Sequence, residues 1–359
     1  MARGAEMERQ RVSIFDVARA AGVGVATVSR VLNSSPRVSP TTRARVEAAI
    51  EELGYHPSRL ASGLSKGRQD MIAVLVPFIT RPSVVSRLEG VIEVLDKSGY
   101  GTTLYSVASL SQRDRHLEYL MDRHASVGVI VISIPLSREH IASFRANGVQ
   151  LSLIDTAGED VPHVVVDDRV GGALAGMHLI GLGHRRIGFI GDEDLSGLGF
   201  ASSYKRLTGL EDALVSFGRS LDRELIRLGP HGATTAKEMA DDLLRLGNPP
   251  TAIFAASDTQ ALGVLRSAQA NGLKVPDDLA VIGFDNLEVA SIFNLSTIAQ
   301  PLFESGVEGA QRLLCQLEGR EVEQVKKVLR LELHARATTI RSAVGPMGTG
   351  LQRQLSAYV

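Results

Sequence analysis

The 359-residue chain has a single cysteine, Cys315, and no tryptophan. One thiol forms neither an internal disulfide nor a cysteine-based zinc site, so a reducing cytoplasm is the expected compartment. The stretch from Met1 to Arg11 is polar and charged rather than apolar, so no secretory signal is expected, and no later apolar run approaches bilayer length. A soluble, cytoplasmic protein without a membrane partner is the expectation. Catalytic groupings are scarce as well. His178 and His184 fall at or next to a helix end with no nucleophile beside them, Gly197-Leu198-Gly199 lacks the lysine of a phosphate loop, and Gly171-Gly172 lies inside a helical pattern. A non-enzyme with no cofactor and no metal is therefore expected. The net charge of −1 excludes a histone-like coating protein.

What is present begins at residues 14–33, which read as two short helices joined at Gly22. Ser13 is placed to cap the first, from Ile14 to Ala21, and Asp16 puts a carboxylate in its first turn, where the helix dipole favours one. Gly22 supplies the left-handed residue of the turn. A second helix, Val25 to Asn33, turns Val28, Val31 and Leu32 inward and leaves Val25, Ala26, Thr27, Ser29 and Arg30 outward or at its exposed amino end. A glycine-joined helix pair is common by itself. Here a third helix follows, capped by Ser39, started by Pro40, with Val46, Ala49, Ile50 and Leu53 inward and Gly54 as its stop. Three helices around one small core make a helix-turn-helix, whose second helix meets base edges in the major groove. Arg30 then reads guanine or clamps a phosphate, Val25 and Ala26 touch thymine methyls, and Thr27 and Ser29 bond phosphate oxygens. Arg37 and Tyr55 complete the expected DNA contacts.

Beyond Gly54 runs Tyr55-His56-Pro57-Ser58-Arg59-Leu60-Ala61-Ser62-Gly63-Leu64-Ser65-Lys66-Gly67-Arg68. With it, the module resembles the headpiece of the lactose-repressor and galactose-repressor family of bacterial transcription regulators. The resemblance implies a headpiece over 12–57 and a hinge over 58–68 that folds into a short helix only on operator DNA. In that family a leucine from each of two subunits wedges into the central minor groove, and Leu64 matches it; the alternative is a linker residue packed on the next domain. About eight residues cannot offset helix nucleation, and Gly63 costs a further ~1 kcal/mol relative to alanine, so the hinge is expected to order only on DNA. Two positions depart from the family pattern. Gly24 replaces a serine that caps the second helix and touches DNA, and Gly63 replaces a residue with a side chain, which shifts weight onto Arg30 and Arg37.

Charge is segregated in the same sense. Eleven Lys and Arg stand against six Asp and Glu up to Arg68, roughly +5, leaving roughly −6 for the rest of the chain. Phosphate binding is thereby confined to the small domain.

From Met71 the pattern becomes apolar strands alternating with amphipathic helices. Strands are expected at 71–76, 101–107, 127–133, 149–154, 186–190, 252–255 and 279–284, with helices near 84–97, 111–123, 138–146, 169–182, 204–217, 233–246 and 259–270. The fold class is therefore α/β, an all-α headpiece followed by two doubly wound parallel sheets. Gly183-His184-Arg185-Arg186-Ile187-Gly188-Phe189-Ile190-Gly191 and Val275-Pro276-Asp277-Asp278-Leu279-Ala280-Val281-Ile282-Gly283-Phe284-Asp285-Asn286 again resemble the same family. The resemblance spans about residues 12–340 and implies a two-lobed domain like a periplasmic binding protein over 69–340. The amino lobe is expected at 69–168 and 301–328, the carboxyl lobe at 169–298 and 329–340, and a tail at 341–359.

An open parallel sheet binds ligand at the carboxyl ends of its strands, which nominates Asp155, Asp167, Ser257, Asp258 and Asp285. Carboxylates suit polyols because each accepts hydroxyl hydrogens. The resemblance adds Arg206 as a donor to effector oxygens. Each aspartate has a competing reading as a helix cap or loop residue. Where most family members have an asparagine, a proline and two phenylalanines after the first strand, this chain has Arg81-Pro82-Ser83-Val84-Val85, and its aromatic content is only 4%. The usual stacking platform for a sugar is thus missing on that side. Phe284 and Phe293 are the expected partial substitutes, and Arg81 leaves a smaller or acidic effector open beside a sugar.

These parts imply a dimeric transcription regulator, by resemblance a repressor, that binds a near-palindromic operator with an affinity set by a small-molecule effector. No heptad helix follows Arg341, so a homodimer rather than a tetramer is expected. A periplasmic-type sugar-binding protein is the alternative, although it needs an export signal and no basic headpiece.

Overall fold

Short polar side chains set the starts of the first and third helices. The computed structural model describes residues 12–32, 35–55, 71–122 and 125–340, and the chain divides between residues 69 and 70 into two units. The hinge with Leu64 and the tail at 341–359 lie outside the described residues. In the first unit, α1 (Ile14–Ala20) begins where Asp16 accepts from both the amide (2.9 Å) and the hydroxyl (2.6 Å) of Ser13. Those two bonds hold the Asp16 carboxyl below its ordinary range. Gly22, at φ 62°, turns the chain into α2 (Val25–Leu32). Ser39 then accepts from the Thr42 amide and Pro40 starts α3 (Pro40–Leu53), which ends on left-handed Gly54. Val17, Val28, Val31, Val46 and Ala49 form the buried centre of this three-helix unit. Arg43 of α3 donates to the Ser35 carbonyl at 2.8 Å, which ties down the chain just beyond α2.

The second unit contains two six-stranded sheets. In sequence its elements are β1 (Met71–Pro77), α4 (Pro82–Asp96), β2 (Gly101–Val107), α5 (Leu110–Leu120), β3 (Gly128–Ile132), α6 (Arg138–Ala146), β4 (Gln150–Ile154), β5 (His163–Val166) and α7 (Asp168–Gly181). There follow β6 (Ile187–Asp192), α8 (Ser202–Ser216), β7 (Ile226–Gly229), α9 (Ala233–Leu244), β8 (Ala252–Ala255), α10 (Asp258–Ala270), β9 (Ala280–Asp285), α11 (Glu288–Ile292), β10 (Ser296–Ala299), α12 (Leu302–Leu317), β11 (Lys326–Leu329) and β12 (Glu332–His334). One sheet runs β11-β5-β4-β3-β1-β2 and is parallel throughout; the other runs β12-β10-β9-β8-β6-β7 and is parallel except for β12. Helices cover both faces of each, so the central strands are apolar on both sides. Along β1, Ile72, Val74 and Val76 enter one core cluster while Ala73 and Leu75 enter another on the opposite face.

The chain passes between the sheets three times, after β5, after β10 and between β11 and β12. The second crossing returns the chain to the first lobe, where α12 packs on α4 and β4, with the Ser152 hydroxyl donating to the Gly309 carbonyl at 2.8 Å. Sequence patterning found the seven longer or more apolar strands. It missed β5, β7, β10, β11 and β12, which have three or four residues each and offer no measurable period. It also left α12 without a helix although that segment is amphipathic. Among the described residues no helix is long and apolar enough to cross a membrane.

Candidate functional site

The headpiece offers one solvent-facing surface around the start of α2. Ala26, Arg30 and Arg37 are exposed, Thr27 and Ser29 are half-buried, and the Thr27 amide bonds the Gly24 carbonyl at 2.8 Å. No acidic residue lies in the first turn of α2. Val25 and Tyr55 pack partly against the small core, so each has only one edge available outward.

In the second unit a cavity of about 610 Å³ lies where the strands of both sheets end. Phe78 and Arg81 reach it from beyond β1, Ser133 from β3 and Asp155 from β4; Asp192 reaches it from β6, Ser257 from β8 and Asp285 from β9. Four of the seven non-glycine residues with positive φ among the described residues line it: Phe78 (41°), Ser133 (57°), Asp155 (61°) and Asp285 (114°). Such conformations cost about 1–3 kcal/mol each, and their concentration here marks a site for which the backbone is held out of its preferred geometry.

A polar chain runs through the floor of the cavity. Ser133 donates to Asp155 at 2.6 Å; Arg87, only 4% exposed, contacts Asp155 at 2.9 Å and donates to the Gln300 side-chain oxygen at 3.0 Å. Gln300 in turn donates to Asp285 at 2.5 Å. Since Gln300 sits on the crossover after β10, it joins the two lobes. Arg206 donates to Asp168 at 2.8 Å and to the Ala256 carbonyl at 2.5 Å, stands 4.0 Å from Asp285, and lies 3.6 Å above the Phe284 ring. Burial works against the Arg206 charge, but Asp168 and Asp285 beside it outweigh that and hold its pKa above the ordinary value. Burial likewise pushes Asp285 up, opposed by Arg206.

A second cluster faces the first. Asp192 receives Nδ1 of His231 at 3.0 Å, Nε2 of Gln260 at 2.8 Å and the Arg81 guanidinium at 3.6 Å. Burial raises the Asp192 pKa, yet His231 and then the Arg81 and Arg206 charges overcome it and hold the carboxyl low. Arg81 also lies 4.2 Å over the Phe78 ring, which is 5.5 Å from that of Phe200.

Asp155, Arg206, Ser257 and Asp285 thus line the cavity, while Asp167, Asp258, Phe284 and Phe293 do not. Asp167 is exposed and caps α7, accepting from the Arg169 and Val170 amides at 3.0 and 3.1 Å. Asp258 is fully buried behind the site, holding the Thr297 hydroxyl and the Leu287 amide at 2.7 Å each, and burial followed by the Asp285 charge pushes its pKa up to about 7. Phe284 lies under Arg206 and Phe293 is 56% exposed beyond α11, so the aromatic surface comes from Phe78 and Phe200 instead. Arg81, the position that left an acidic effector open, lines the cavity with Asp192 and the Phe78 ring beside it. The rule that nominated Asp155 also points to Asp192 and Phe78, each at the end of a strand. Asp168, His231 and Gln300 left no such trace.

Residues 13–58 match the family model described as bacterial regulatory proteins, lacI family, and residues 177–339 match that of a periplasmic binding protein-like domain. Catabolite control protein A of Priestia megaterium is 32% identical over 314 residues, covering 86% of this chain and 93% of its own length. Among solved structures, the lac repressor dimer bound to operator and the anti-inducer ONPF superposes with a TM-score of 0.79 at 27% identity, covering 92% of this chain and 100% of that one. The transcriptional regulator CelR in complex with cellobiose gives 0.67 at 32% identity, covering 91% and 100%.

Proposed function

Because the chain belongs to the lacI family of bacterial regulatory proteins, and is on that ground a DNA-binding transcriptional regulator and not an enzyme, we propose that an uncharged polyhydroxy effector in the cavity sets its affinity for an operator. The DNA-reading residues in this reading are Val25, Ala26, Thr27, Ser29 and Arg30, with Arg37 and Tyr55 flanking them and Leu64 as the minor-groove wedge. The protein acts in the cytoplasm as a homodimer, so that two headpieces meet the two halves of a palindrome. The headpiece comprises residues 12–57, the hinge 58–68 and the effector domain 69–340.

The observation that carries the effector assignment is the charge balance of the cavity. Each arginine that reaches it is matched by a carboxylate: Arg81 by Asp192, Arg87 by Asp155, Arg206 by Asp168. Glu193, Asp194 and Asp285 are additional, so an entering phosphate or carboxylate meets net negative charge. Hydroxyl groups meet carboxylates that accept their hydrogens, with Phe78 and Phe200 as an apolar side for a sugar ring. The CelR–cellobiose complex and the operator complex of the lac repressor support the same pairing of roles in relatives.

Titrating labelled palindromic DNA at two salt concentrations, with uncharged sugars and then with their phosphate esters, tests the proposal. Sequence-selective, salt-steep binding whose affinity responds to a neutral sugar and not to its ester is expected. A response confined to the esters would refute the effector assignment.

A further inference from the structure

The connection between β6 and α8, residues 193–201, leaves the carboxyl-lobe sheet and buries a leucine in the other lobe. Leu198 is 1% exposed and belongs to the amino-lobe core with Leu75, Val107, Leu117, Leu120 and Ile134. Phe200 packs against the same cluster and meets Phe78 at the cavity rim. A Cβ at Gly197 would touch Leu110 at 3.4 Å, and one at Gly199 would touch Pro135 at 3.6 Å, both of them amino-lobe residues.

The shape of this strap is fixed from within. Asp194 accepts from the Ser196 hydroxyl at 2.6 Å and from the Gly199 and Phe200 amides at 2.5 and 3.1 Å, while Gly197 (φ 68°) and Gly199 (φ 88°) make the turns. Around the plug the strap is polar or exposed: Glu193, Leu195, Gly197 and Gly199 all face solvent. At its base Asp192 faces Arg81 across the lobes. The lobes are joined covalently by three crossings, and this segment is a non-covalent fourth tie.

We propose that residues 193–201 are a latch, in which Leu198 plugs the amino-lobe core and holds the two lobes together beside the cavity before any effector arrives. Withdrawing the plug exposes a leucine and leaves an apolar void, and a packed core tolerates neither by degrees, so the latch has two states rather than a continuum. Ligand entry and exit then require unlatching. The proposal relies on the effector reading only for what the latch guards; the latch itself is testable with neither DNA nor ligand.

The absence of tryptophan supplies the probe. In the full-length chain, Phe200→Trp is a single reporter at the rim, and its acrylamide quenching is compared with that of the same variant carrying Leu198→Ser or Leu198→Met. The serine variant is expected to raise the quenching constant by about threefold and shift emission to the red, whereas methionine, which refills the space, keeps both close to the parent values. Unchanged quenching in a folded serine variant, or methionine behaving as serine does, would overturn the proposal. Hydrogen exchange in the unsubstituted chain gives an independent reading. The Gly199 and Phe200 amides should exchange about 100-fold or more slower than in an unstructured peptide, and exchange at the unstructured rate would equally overturn the latch.

Discussion

Arg206 directs both Nε and Nη2 at one carboxylate oxygen of Asp168, each at 2.8 Å, with 8% and 7% of the two side chains exposed. The arginine that family resemblance assigns to effector oxygens is therefore held first by its own protein. Its place is set by a close helix contact: a Cβ on Gly172 of α7 would lie 2.0 Å from the Arg206 carbonyl, and one on Gly209 of α8 would lie 1.9 Å from that of Arg169.

Asp168→Ala should destabilise the second unit by about 3–5 kcal/mol, because a buried guanidinium loses its counter-charge. Combining it with Arg206→Met should cost less than the sum of the two single changes. Urea unfolding of the four proteins measures this coupling, and strictly additive losses would show that the pair is not an energetic unit.

Gly172→Ala is expected to cost several kcal/mol, since the neighbour it meets is backbone and cannot turn aside. Gly24→Ser, with nothing within 4 Å and no positive φ, should instead be neutral to stabilising by a few tenths of a kcal/mol at the amino end of α2. The serine hydroxyl also reaches a phosphate in the proposed complex, so operator affinity should rise. Thermal melts and DNA anisotropy on both variants decide the matter.

On DNA, Arg30→Ala should weaken operator binding by about 1–3 kcal/mol and relax sequence preference. Arg37→Ala should weaken specific and random duplexes alike and lower the salt slope by about one. Anisotropy titrations with operator and scrambled duplexes separate the two, and an Arg30 loss equal on both duplexes would reassign it to the phosphate backbone.

His178 provides a pH prediction. Burial, followed by the charge of His184, pushes its pKa down from 6.5 to about 4, while Nε2 bonds the Thr339 hydroxyl at 2.8 Å. The unfolded chain binds this proton more readily than the folded one, so the resulting stability is complete above pH 6.5 and drains away as pH falls toward 4. The loss approaches about 3 kcal/mol at the acid end. Denaturant melts between pH 4 and 7 should show His178→Gln with a flatter acid limb than the parent; parallel limbs would contradict the assignment.

The headpiece was legible because its signals are local: Ser13, Gly22, Ser39, Pro40 and Gly54 each act within four residues of their own position. The long buried strands were legible for a related reason, an unbroken apolar run between turn residues. Gln300 was not, because Arg87 lies 213 positions away and meets the Gln300–Asp285 pair only once the crossover after β10 is built. Asp167 and Asp168 show the limit most plainly. Adjacent and chemically identical, one caps a helix at the surface and the other neutralises Arg206 in the interior, and only the direction in which α7 starts distinguishes them.

Gln300 accepts from Arg87 on one side and donates to Asp285 on the other, so its amide cannot turn over without breaking both bonds. This link between the two lobes is consequently polarised, with an accepting end toward Arg87 and a donating end toward Asp285. A hydroxyl group that donated to Asp155 would compete with Arg87 for that carboxylate, and Arg87 is itself two hydrogen bonds from Asp285 of the opposite lobe.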